Sequence, residues 1–112
     1  RGDIPPWSAN GMQILGAMRE NLVIPDAFKL QDPYPNPFNP ATQIRLEIPQ
    51  DSEIQLAIYD LQGRLVTTLY SGKIKAGYHN MQWNAASQAS GIYFIKLSSS
   101  ETRLLKKIIL MK

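Results

Sequence analysis

Gln43-Ile44-Arg45-Leu46-Glu47-Ile48 alternates polar and apolar residues without a fault. Ile54, Leu56 and Ile58 repeat the period, set against Glu53, Gln55 and Ala57. A period of two puts each aliphatic trio on one face of a strand and leaves the other face in water. One-sided strands of this kind belong to antiparallel sheets. Pro49-Gln50-Asp51-Ser52 between them is turn chemistry, so the two strands are expected to form a hairpin.

The same texture continues towards the C-terminus. Asp60-Leu61-Gln62-Gly63 has Asp first and Gly last, as a type I turn prefers, and residues 64–70 return as a third strand. Ser71-Gly72 and Ala76-Gly77 bracket the next connection, which leads into a strand over residues 78–83. Residues 84–90 are a loop of small residues, and Gly91 opens Ile92-Tyr93-Phe94-Ile95-Lys96-Leu97, rich in β-branched and aromatic side chains. Ser98-Ser99-Ser100-Glu101 turns the chain into residues 102–111. Leu104, Leu105, Ile108 and Ile109 also trace a helical stripe there, but an eleven-residue helix is marginal alone and a tight turn after a strong strand favours a hairpin partner. Turn signals at this spacing predict an all-β, antiparallel sandwich of about six or seven strands.

Upstream the pattern differs. Residues 1–33 read as an arm or linker from a preceding domain, with residues 34–112 as the sandwich. Pro5-Pro6, Gly11 and Gly16 interrupt the arm, and its apolar spacing fits a short helix or a short strand equally. Asp32-Pro33-Tyr34-Pro35-Asn36-Pro37-Phe38-Asn39-Pro40 follows. Each proline fixes its own φ and holds the residue before it out of the α region, so the segment is extended and kinked, with few backbone donors.

Composition narrows the function. The 112 residues suit one domain, of which 44% are hydrophobic and 19% charged, a globular balance. Without cysteine there are no disulfides and no thiolate metal sites. The sequence starts with Arg1 and shows no signal-peptide pattern, so it is read as a fragment or a processed form. No apolar run reaches the ~18 residues that span a bilayer. A net charge of +3, clustered only at Arg103, Lys106, Lys107 and Lys112, falls short of a nucleic-acid-binding surface.

No catalytic constellation is legible. His79 is the single histidine, the acids Asp26, Asp32, Glu47, Asp51, Glu53 and Asp60 are scattered without EF-hand spacing, and no phosphate-binding glycine loop occurs. No enzyme activity, cofactor or metal is expected. Arg1-Gly2-Asp3 matches an adhesion tripeptide by chance. Pro37-Phe38-Asn39-Pro40 fits P-x-x-P, but Phe38 is better read as an anchor that pins the strap into the sandwich. Trp83, Tyr78, Tyr93 and Phe94 either line a sugar-binding face or, as is commoner for strand aromatics, pack in the core and across strands.

Taken together in order, Tyr34-Pro35-Asn36-Pro37-Phe38-Asn39-Pro40, the strand at residues 43–48, Tyr59-Asp60 with Gly63, Ala76-Gly77, Trp83-Asn84, Gly91-Ile92-Tyr93 and Lys106-Lys107-Ile108-Ile109-Leu110-Met111-Lys112 resemble the type A C-terminal sorting domain of type IX secretion. The pattern also resembles the immunoglobulin-like domain of flagellar hook-capping proteins. The lead-in Ile24-Pro25-Asp26-Ala27-Phe28-Lys29-Leu30 fits too, so the resemblance covers residues 24–112. Asp32-Pro33 departs from the commoner Asn before Tyr. The resemblance implies an immunoglobulin-like sandwich joined covalently to an upstream cargo domain. It implies export from the periplasm of a Gram-negative bacterium to the cell surface or beyond, with an outer-membrane translocon and a sortase-like peptidase as partners. The family's commonest positions fall on Pro35, Asn36, Pro37, Gly91, Tyr93, Lys107 and Lys112, the candidate recognition residues. A last strand rich in aliphatics and lysines is expected at a sheet edge, where a receptor can add a strand while lysines limit unwanted pairing. On one reading the receptor takes the hairpin over residues 91–112; on the other, that hairpin only completes the sandwich. The rival functions are a structural or adhesive module and a carbohydrate-binding accessory domain of a secreted hydrolase.

Overall fold

Period-two alternation does here what it does in any one-sided strand: Ile44, Leu46 and Ile48 are fully buried while Gln43 and Arg45 face water. A computed structural model of the chain describes residues 24–112. Among them run β1 (Lys29–Leu30), β2 (Ala41–Ile48), β3 (Ser52–Asp60), β4 (Leu65–Ile74), β5 (Gly77–Asn84), β6 (Gly91–Ser98) and β7 (Arg103–Leu110), with no helix. The tripeptide at residues 1–3 and the ambiguous segment of the arm lie outside the described residues.

The strands form two antiparallel sheets, ordered β1-β2-β5 and β4-β3-β6-β7. Ile44, Leu46 and Ile48 of the first sheet and Ile54, Leu56, Ile58, Ile95, Leu97, Ile108 and Leu110 of the second belong to one buried core, which makes the fold a sandwich. β3–β4 and β6–β7 are hairpins, and the chain changes sheet after β2, after β4 and after β5. This arrangement is immunoglobulin-like, with four strands in one sheet and three in the other.

Two local expectations fail. Residues 49–52 do not close a hairpin, because β2 pairs with β1 and β5, and β3 pairs with β4 and β6. Crossing between sheets lets the two aliphatic trios face each other across the core, and Pro49 has no N–H for a hairpin rung. The crossing is tied to the next one, since Asp51 Oδ1 accepts the Ala76 N–H at 2.9 Å and Lys75 Nζ lies 3.8 Å from Asp51 Oδ2. Nor do Ser71-Gly72 turn the chain; they stay in β4, where Gly72 faces Ile54 at φ +135°. β4 carries extra residues at Leu69 and Val66, bulges that twist this edge of the sheet.

The proline-rich segment closes the flank of the sandwich. It is tied down at intervals: Gln31, just before it, donates its N–H to the Arg45 carbonyl at 3.0 Å and Tyr34 to that of Gln43 at 3.1 Å. Pro33 is buried, and Phe38, 2% exposed, reaches the core as expected. β1, within the stretch read as an arm, pairs Lys29 with Glu47 and Leu30 with Leu46.

The turn after β3 has the expected form, with the Gly63 N–H donating to the Asp60 carbonyl at 2.9 Å and Gly63 left-handed at φ +85°. The backbone N–H of Arg64, 2.9 Å from Asp60 Oδ1, holds the Asp60 carboxyl below its ordinary 3.8; the Arg64 guanidinium at 3.0 Å and the Gln62 N–H at 3.0 Å act the same way. A lowered folded-state pKa stabilises above the unfolded value of about 3.9, and that contribution is lost as pH falls through the folded value. Thermal melts of wild type and Asp60→Asn are expected to differ by a constant gap from about pH 7 to pH 5, closing below about pH 4. A gap that survives strong acid assigns the effect to something other than the carboxylate.

Candidate functional site

Asn36, Gly91, Tyr93 and Lys107, four of the seven candidate recognition residues, lie on or against the C-terminal half of β7. Asn36 is central. Its side-chain Oδ1 accepts the Ile109 N–H at 3.0 Å and its Nδ2 donates to the Lys107 carbonyl at 3.2 Å. The amide thus stands in for a peptide group of an absent neighbouring strand. Phe38 continues the seam with real backbone, donating its N–H to the Ile109 carbonyl at 2.9 Å and accepting the Met111 N–H at 3.0 Å, and it bridges Leu110 in parallel. Pro37, with no N–H to leave unpaired, turns the chain between these contacts. The Pro35 carbonyl accepts the hydroxyl of buried Thr42 at 2.7 Å.

Below the seam the aromatics stack. The Phe38 ring lies 5.4 Å from Trp83, and Trp83 meets Tyr93 edge-on at 5.3 Å and 74°. Tyr93 donates its hydroxyl to the Ala89 carbonyl at 2.6 Å, four residues upstream, a tyrosine corner of the kind immunoglobulin-like sandwiches use at this strand. Gly91 opens β6 opposite Leu110. Lys112 returns to the loop before β6: its N–H donates to Ser90 Oγ at 3.0 Å and its Nζ to the Ala86 carbonyl at 2.7 Å. Lys107 points its exposed side chain away from the core, in register with Phe94.

β7 is the last strand of its sheet, but its rim is not free along its length. The expected open edge is a half-edge: Ile109 already has both outward groups engaged by Asn36 and Phe38. Strand groups alternate in direction, so Leu105 presents its N–H and C=O outward as Ile109 does, nearer the β6–β7 turn. Lys106 holds Asp32 at 2.9 Å beside it. Sequence reasoning missed Thr42, Ser90 and this ion pair. Only the small polar character of Thr42 and Ser90 was visible, with nothing to say whom they meet.

His79 donates Nε2–H to the Lys75 carbonyl at 2.7 Å, and among the described residues no three His, Cys, Asp or Glu side chains gather as a metal site. Trp83 and Tyr93, at 4% and 7% exposed, are core residues, as the commoner reading of strand aromatics had it; Tyr78 is exposed and Phe94 half-buried, on different sheets.

Removing the Asn36 amide deletes two hydrogen bonds, so Asn36→Ala is expected to lose about 1–2 kcal/mol in chemical denaturation. Amide exchange at Ile109 is expected to quicken while Ile95, in the interior of the sheet, keeps its protection. Equal acceleration at both sites contradicts a local seam.

A family model described as a secretion system C-terminal sorting domain matches residues 33–111. No curated protein matches the chain.

Proposed function

The chain belongs to the family of type IX secretion system C-terminal sorting domains, and from that premise we propose that it is a non-catalytic address carried by a larger cargo protein. The cargo crosses the periplasm of a Gram-negative cell, and an outer-membrane translocon reads the address before delivery to the surface or outside. A sortase-like peptidase that separates cargo from address is the second partner. The single observation that carries this reading is the extent of the family match, which spans the strap and β7 together, the two segments that the Asn36 and Phe38 bonds join.

The seam alters how such recognition works. Because Asn36 and Phe38 occupy the Lys107 carbonyl, both outward groups of Ile109 and the Met111 N–H, a receptor meets side chains and loop there in place of most of the bare backbone. Pro35, Asn36, Pro37, Gly91, Tyr93, Lys107 and Lys112 then act as one surface whose shape depends on the strap being seated. Tyr93 contributes from within, holding the β5–β6 loop through Ala89. The sugar-binding alternative has less behind it, since Trp83 and Tyr93 are buried.

Deleting residues 104–112 is a poor test because it removes the core residues Ile108 and Leu110. The better one fuses the full chain behind a periplasmic reporter in a bacterium with a type IX system and in its translocon-deficient sibling. Export is expected only in the first. Lys112→Ala combined with Asn36→Ala is expected to lower it about tenfold, the factor that corresponds to about 1.4 kcal/mol of recognition. Equal release from both strains sinks the sorting reading.

A further inference from the structure

The outward faces of the two sheets differ in chemistry. On β2 and β5 the outward rows are polar, with Gln43 opposite Gln82, Arg45 opposite Asn80 and Glu47 opposite Tyr78. On the four-stranded sheet, Tyr93, Ile95 and Leu97 face inward, so Ile92, Phe94 and Lys96 face out. Register extends each of these across the sheet. One row reads Leu65, Tyr59, Phe94, Lys107; the next Thr68, Ala57, Lys96, Leu105; and Ile92 faces Ile109 beyond them. Directly opposed side chains touch, so these residues are contiguous rather than scattered.

This patch is more apolar than a free sheet face requires. Leu61, Leu65 and Leu105 are 60%, 56% and 59% exposed, and Tyr59, Leu61, Phe94, Lys96 and Leu105 line a depression of about 280 Å³. Single exposed leucines are ordinary, but a contiguous apolar patch with a concave centre marks an interaction site. Asp60 also lines the depression, with its carboxylate held by the Arg64 guanidinium at 3.0 Å, so the uncompensated charge around it is positive. Among the described residues Lys96 and Lys107 have no carboxylate partner, Lys96 resting 5.6 Å from the centre of the Tyr59 ring, and Arg103 lies one row beyond. Of the nearest acids, Asp60 is neutralised by Arg64, and Glu53 stands at the far end of the sheet, in register with Lys73.

We propose that the outer face of β4-β3-β6-β7, centred on Tyr59, Phe94 and Leu105 and flanked by Lys96 and Lys107, docks a protein partner that presents an apolar side chain ringed by carboxylates. A second copy of this chain is disfavoured because its lysines meet lysines across a two-fold axis. A bilayer is disfavoured because the apolar groups other than Leu61 sit on the strands of a locally concave sheet rather than on a protruding loop. The inference deepens the sorting reading and rests on it for the identity of the partner, a component of the translocon.

The test measures binding of the full 112-residue chain to translocon complex purified from an exporting strain, with reporter export scored in parallel. Leu105→Glu and, separately, Lys96→Glu with Lys107→Glu are expected to weaken binding about tenfold or more, the effect of losing a central contact. The lysine pair is also expected to flatten the salt dependence, and Arg45→Glu on the opposite face is expected to bind as wild type. Melts verify that the surface variants stay folded. Wild-type affinity in both outer-face variants overturns the docking surface while leaving the sorting reading intact. Failure of the wild-type reporter to be exported overturns the sorting reading itself, and the partner with it. A wild-type chain that is exported without binding the purified complex also overturns the inference. So does Leu105-dependent binding to phosphatidylglycerol vesicles, or Leu105-dependent dimerisation in sedimentation, in place of complex binding.

Discussion

An edge strand leaves a row of backbone N–H and C=O groups without a neighbouring strand, a demand that has to be filled from outside the ladder. Here it is met by a side chain. The Asn36 amide takes the Ile109 N–H and the Lys107 carbonyl, and the backbone of Phe38 completes the row. That row lets the strap lie flat, which places the Phe38 ring beside Trp83 and through it against Tyr93. Tyr93 in turn fixes Ala89, and the adjoining loop receives Lys112. The surface formed by strap, loop and terminal residues follows from one seated asparagine.

The sandwich divides its labour between two skins. The β2–β5 face is polar and needs no partner to remain in water. The β3–β6–β7 face combines aliphatic and aromatic groups with lysines that have no carboxylate partner among the described residues, a composition that costs solubility unless something covers it. Lys107 links the two regions, since its carbonyl belongs to the seam and its side chain to the outer face.

Fold class was legible because period two is a local signal that strands at 43–48, 53–58 and 91–98 carry within their own residues. Strand identity at 103–110 followed from the serine turn before it. What failed was pairing. Residues 49–52 carry turn residues whether the chain doubles back in one sheet or crosses to the other, and the difference lies in β5 and β6, dozens of residues away. Ser71-Gly72 looked like a turn because a glycine beside a bulge has the same composition as a glycine in a loop. At the site, the prolines and Asn36 stood out, and Phe38 was read as an anchor. The partners of Asn36 lie 71 and 73 positions later, and no local pattern records a contact at that separation. Trp83 and Tyr93 were ambiguous for a similar reason, as alternation does not say which face of a strand the other sheet will cover.

The strap and β7 run in the same direction where they touch, at Phe38 and Leu110. One is reached from upstream of Lys29, the other from the far end of the chain. Tension applied between an upstream attachment and a grip on the terminal strand therefore slides the two past each other, loading the Asn36 and Phe38 bonds simultaneously instead of peeling them apart in sequence. By that geometry the flank behaves as a mechanical clasp, resistant to a lengthwise tug yet open to a sideways lift of the proline segment.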